Sequence, residues 1–166
     1  FFAGQAPSSV DEIEDSQVHV RELAEMVQKT VVGIGVGAAQ GSGVIISRDG
    51  YVLTAAHVSG RPGRTARLFL SDGRIVPART LGQNKTFDAG LMKIQVDDWE
   101  NEKWPHADMG DSADVELGQW VMAVGHPGGY QEDRNPVVRL GRIVHTYKDV
   151  LTSDCTLIGG DSGGPL

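Results

Sequence analysis

Val20, Leu23, Ala24 and Val27 recur three and four residues apart, which puts them on one face of a helix. Just upstream, Ser9-Val10-Asp11-Glu12 has the form of a capping box, with serine at the N-cap and glutamate three residues on. The pattern predicts one amphipathic helix over 10–29. From Thr30 the period changes. Val31–Val36 is β-branched and punctuated by glycine, and Ser42–Ser47 and Tyr51–Ala55 flank Arg48-Asp49-Gly50. Apolar runs on either side of an Asp-Gly turn predict a hairpin. A second hairpin is predicted where Ala66–Leu70 and Arg74–Val76 flank Ser71-Asp72-Gly73. Further strands are expected at Gly90–Gln95, Gln119–Val124, Val137–Leu140 and Val150–Thr152. Between them, 96–113 turns acidic and polar and reads as the connection between two β units. Short strands with turn signals and little helix predict an all-β chain of barrels or a sandwich.

Composition narrows this picture. Of 166 residues, 22 are glycine and 7 proline, without a collagen period, so glycine belongs to many tight turns. A hydrophobic fraction of 40% argues against a disordered chain. No apolar run approaches the ~18 residues of a transmembrane helix. The net charge is −7, with Lys and Arg dispersed, so no basic face exists for nucleic acid. One cysteine, Cys155, excludes an intrachain disulfide and any multi-cysteine metal site, and reads as a small packing residue. Phe1 and Phe2 fit the remnant of an export signal's apolar region and equally a foreign leader, since no initiator Met or basic segment precedes them to decide.

The candidate chemistry lies in three places. Gly160-Asp161-Ser162-Gly163-Gly164-Pro165-Leu166 sets a serine among glycines, which lets backbone N–H groups converge on one small space. A serine nucleophile needs a base, and the base needs a third group to fix its tautomer. His57 follows a predicted strand in Thr54-Ala55-Ala56-His57, and Asp88 precedes another in Phe87-Asp88-Ala89-Gly90-Leu91. The order His, Asp, Ser, with gaps of 31 residues (57 to 88) and 74 residues (88 to 162), is one of three known chain orders for such a triad.

At these residues the chain resembles the trypsin-like (chymotrypsin-fold) serine proteases, of which TAAH and GDSGGPL are signature segments. It is most similar to the HtrA/Deg branch. Gly41–Ile46, Gly50–Thr54, Leu70–Arg74, Gly110–Ser112, Leu117–Val121 and Gly125–Gly129 carry that likeness, which runs from about Val31 to Leu166. The resemblance implies two antiparallel six-stranded-type β-barrels, the second incomplete here. The units would be 1–29 (tail and helix), 30–104 (first barrel, with His57 and Asp88) and 105–166 (second barrel, with Ser162). Ser162 would be the nucleophile, His57 the general base and later acid, and Asp88 its orienting partner. The N–H groups of Gly160 and Ser162 would form the oxyanion hole. Thr156, six residues before the nucleophile, would lie at the base of the S1 pocket; being uncharged, it implies small or medium apolar P1 residues.

The resemblance further implies a serine endopeptidase acting on polypeptides in protein quality control, periplasmic or secreted, without a cofactor, and a homo-oligomer, a trimer in the family. The alternative is a chaperone-like or substrate-binding module with a silent triad. Two departures stand out. Ala89 and Gly90 occupy positions where the family usually has a larger residue and alanine. Asp161 replaces the asparagine common in HtrA-type chains; it matches digestive trypsins, where it pairs with an amino terminus freed by cleavage. No convincing cleavage sequence precedes Val31, so Asp161 reads as scaffolding of the oxyanion loop. Asp97 and Asp98 are less well placed than Asp88. His19, His106, His126 and His145 have no metal-ligand spacing. Gly33, Gly35, Gly37 and Gly41 lack the strand-glycine-helix context of a dinucleotide site. The sequence stops four residues after Ser162, so the expectation is a piece of a protease domain that is inactive alone.

Overall fold

A computed structural model describes residues 7–96, 103–148 and 150–166. The first element, α1 (Val10–Gln28), begins at Ser9, whose side chain accepts from the Glu12 N–H at 3.2 Å. The other half of the box differs from expectation. The Glu12 carboxylate takes the N–H and hydroxyl of Ser8 at 2.5 and 2.9 Å, one residue before the cap. Val20, Leu23, Ala24 and Val27 are half-buried, while Val10, Ile13, Val18 and Met26 are exposed. The helix thus leans on the body by the face its periodicity predicted.

Among the described residues nine strands follow: β1 (Val31–Val36), β2 (Ala39–Ile45), β3 (Tyr51–Ala55), β4 (Thr65–Phe69), β5 (Ile75–Asn84), β6 (Ala89–Ile94), β7 (Trp120–Gly125), β8 (Val137–Tyr147) and β9 (Val150–Ser153). The chain is therefore mostly β. The first six close a barrel in the order β1-β2-β3-β6-β5-β4, sealed where Ile34 faces Leu68 across β1 and β4. The other three form an antiparallel sheet, β7-β8-β9. Both predicted hairpins form, with Gly50 (φ 87°) and Gly73 (φ 85°) taking the left-handed turn positions. The barrel interior is filled by β-branched and aliphatic side chains, among them Ile34, Ile45, Val52, Leu68 and Met92, each at most 2% exposed.

Several elements extend beyond what the sequence pattern predicts. β5 runs on to Asn84, because Val76, Ala78 and Thr80 alternate inward past a proline. β8 continues to Tyr147 through His145, Thr146 and Tyr147, all exposed. A strand wet on both faces leaves no alternation to read. A one-turn helix, α2 (Ala56–Ser59), follows β3. Within the polar connection, Ser112–Asp114 form a 3-10 turn and Trp104 is buried against the barrel. Phe1, Phe2, Asp97 and Asp98 lie outside the described residues. Among the described residues no helix is long and apolar enough to cross a membrane.

Candidate active site

β3 ends at Ala55 directly opposite Ala89, the first residue of β6. This register sets α2 beside the turn that precedes β6, and the two are bound by three hydrogen bonds. The Ala56 N–H donates to the Asp88 carbonyl at 2.9 Å. The His57 N–H donates to Asp88 Oδ1 at 3.1 Å, and His57 Nδ1 lies 2.7 Å from Asp88 Oδ2. Asp88 reaches this position through a left-handed backbone, φ 51°, which Asp tolerates better than most residues. Asn84 shapes the same turn by accepting from the Thr86 and Phe87 N–H groups.

Partial burial alone would raise the Asp88 pKa, but the hydrogen bonds from His57 outweigh it, and the carboxyl sits below its ordinary value. An ionised carboxylate can only accept, so Nδ1 carries the proton of a neutral His57 and Nε2 is left as the acceptor. Both side chains are more than half exposed. The departure at Gly90 has a local counterpart. A Cβ there would run into the Ser59 hydroxyl and the Ala55 carbonyl, so the Ser59 side chain fills the space an alanine methyl would need.

Ser162 arrives from the other end of the chain, threaded against β2 and β3. Its carbonyl accepts from the Ser42 N–H at 2.9 Å. Gly163 (φ 87°) lies so close to Ser42, Thr54 and Ala55 that a side chain has no room. A Cβ on Gly41 would touch both the Ser162 carbonyl (3.0 Å) and Val58 (2.6 Å), the residue after His57. The serine backbone therefore passes beside α2. Among the described residues, no hydrogen bond of 3.5 Å or less joins the Ser162 side chain to His57.

Gly160 has φ 100° and is packed against the His126 carbonyl and the Gly128 and Gly129 N–H groups. The Gly128 N–H donates to the Gly159 carbonyl at 2.7 Å. Among the described residues, neither the Gly160 nor the Ser162 N–H donates within the protein. Thr156 is exposed. Its neighbours Cys155 and Leu157 border a pocket of about 410 Å³ with Val124, Asp161 and Pro165.

The residue that sequence reasoning missed is Ser42. It is fully buried, and its hydroxyl donates to the Gly160 carbonyl and accepts from the His126 N–H, both at 2.8 Å. Its carbonyl accepts from Thr54 Oγ1 at 2.6 Å. One side chain thus ties the loop before the nucleophile to the Gly125–Gly129 loop, from within the first barrel. The available signal was a lone hydroxyl between two glycines, just before the apolar end of β2.

Comparison with known proteins places these residues in context. The family model described as a trypsin-like peptidase domain matches residues 41–166. A probable periplasmic serine endoprotease, DegP-like, from Marinomonas sp. (strain MWYL1) is 38% identical over 136 residues, covering 80% of this chain and 28% of the relative. Proteins of the same description from Halomonas elongata and Chlamydia trachomatis serovar D are 34% and 33% identical over 130 and 138 residues. They cover 76% and 78% of this chain and 26% of each relative. The chain thus spans about a quarter of the length of the curated relatives it matches.

Proposed function

The chain belongs to the trypsin-like peptidase domain family, in its HtrA/Deg branch, and from that premise we propose that it is the catalytic region of a serine endopeptidase. The observation that carries the reading is the 2.7 Å contact between His57 Nδ1 and Asp88 Oδ2, on the chain position where the family motif places its base. Ser162 is the nucleophile. His57 Nε2 takes the Ser162 hydroxyl proton as Oγ bonds to the substrate carbonyl carbon, and the carbonyl oxygen becomes an oxyanion. Asp88 holds the resulting imidazolium. The intermediate collapses, the C–N bond breaks, and His57 gives its proton to the departing amine. Water then repeats the cycle on the acyl-enzyme, with His57 again as base.

The Gly160 and Ser162 N–H groups serve as oxyanion donors. Among the described residues neither N–H has a protein acceptor, which supports this role. Thr156 contributes to the S1 pocket, and the preference is for small or medium apolar P1 residues. On this reading the units are 1–29, 30–104 and 105–166, with the triad assembled between the last two. The substrates are misfolded or exported polypeptides. The periplasmic or secreted location follows the relatives' descriptions, and the assembly is a homo-oligomer. Hydrolysis of unfolded casein by the full-length protein tests the activity. The expected result is degradation that Ser162→Ala abolishes; equal degradation by both proteins contradicts it.

A further inference from the structure

Asp161 stands between the two proposed oxyanion donors, and its side chain is 5% exposed. A carboxylate removed from water to that degree is costly unless it is paired and hydrogen-bonded. Its partner is Arg139 on β8, whose side chain is 19% exposed. One terminal nitrogen of the guanidinium donates to Oδ1 at 3.2 Å, and the other lies 3.2 Å from Oδ2 as an ion pair. A second donor, the Ile158 N–H, reaches Oδ2 at 3.0 Å. The room for this carboxylate is made by Gly125, where a Cβ would come within 2.7 Å of Oδ1. The backbone of the same residue closes the loop. The Asp161 N–H donates to the Ile158 carbonyl at 3.1 Å, and the Gly164 N–H donates to the Asp161 carbonyl at 2.9 Å.

We propose that Arg139 is a built-in counter-ion that positions the Gly160–Ser162 loop, so that Asp161 needs no freed amino terminus to hold the oxyanion donors in place. The proposal rests on the serine endopeptidase reading above. Arg139 touches no reacting atom; it is a positioning residue. The physical logic is asymmetric. Removing Arg139 strands a buried charge, and the loop must move to rewet it. Removing the Asp161 charge costs less, because the Arg139 side chain is already 19% exposed against 5% for Asp161.

The test uses the full-length protein and its R139Q, D161N and R139Q/D161N variants. Three quantities are measured: the rate of fluorophosphonate labelling of Ser162, the kcat and KM on one peptide, and Tm. R139Q is expected to lose about 10²-fold in labelling rate and kcat, the scale of a lost oxyanion donor, with KM little changed. The double variant is expected to recover to within about 10-fold of wild type, because a neutral amide in place of the carboxylate strands no charge. Where R139Q does not fold, the double variant decides by the same criterion. Wild-type labelling in R139Q overturns the proposal, as does a folded double variant that is as slow as R139Q. A wild-type protein that takes no label at all overturns the underlying peptidase reading instead.

Discussion

His57, Asp88 and Ser42 set the local geometry of the site, and only the first two can be read from the sequence. His57 and Asp88 are legible because the chemistry needs a base and an orienting acid, and the motif spacing selects them. Their 2.7 Å contact fixes the His57 tautomer. Asp88→Asn should therefore lower kcat by about 10⁴ with little change in Tm, as for the equivalent change in the chymotrypsin-type template. Steady-state kinetics beside thermal melting would check both halves. Ser42 was not legible. Its role depends on residues 84 and 118 positions away in sequence. Ser42→Ala leaves the His126 N–H and the Gly160 carbonyl without their partner, which should cost about 1–3 kcal/mol by chemical denaturation and slow acylation more than it raises KM.

His126 is likewise hidden from sequence reasoning, since burial decides its behaviour. It is 2% exposed, and among the described residues neither ring nitrogen has a hydrogen-bond partner. Burial, reinforced by the Arg134 charge and only partly offset by Asp161, lowers its pKa to about 4 from 6.5. The unfolded chain therefore binds a proton between pH 6.5 and 4 that the folded chain refuses, so stability falls as pH drops through that window. The expected loss from this group is on the order of 3 kcal/mol. Denaturation midpoints measured from about pH 7 down to about pH 4 should slope less steeply in His126→Phe; parallel slopes would exclude the group.

Among the elements, the barrel was the most readable. Asp-Gly turns and β-branched runs mark β2–β3 and β4–β5, because hairpins are specified locally. The closure between β1 and β4 is not local, and nothing in either strand announces Ile34 opposite Leu68. The length of β8 was also unreadable, since its outer half is exposed on both faces. The contact between α2 and β6 yields a prediction at this scale. Gly90→Ala should destabilise the protein by about 1–3 kcal/mol, since the new methyl meets the Ser59 side chain and the Ala55 carbonyl. Ser59→Ala in the same chain should return part of that loss, as measured by a double-mutant cycle.

Across the whole molecule, the site belongs to a seam. The closed barrel supplies His57, Asp88 and Ser42, and the loops of the second sheet supply Gly128 and Gly129 against Gly159 and Gly160. The stacked rings of Phe69, at the end of β4, and Tyr130, 4.3 Å apart, join the same two parts. A serine so placed is held by both units, which is why its partners lie far from it in sequence. The claim that this seam is a peptidase centre reduces to whether Ser162 is a nucleophile activated by His57. Mass-spectrometric mapping of the fluorophosphonate adduct on the full-length protein tests it most directly. The expected result is one adduct, on Ser162, and at least about 10³-fold slower labelling in His57→Ala. An adduct on another residue, or wild-type labelling without His57, would contradict it.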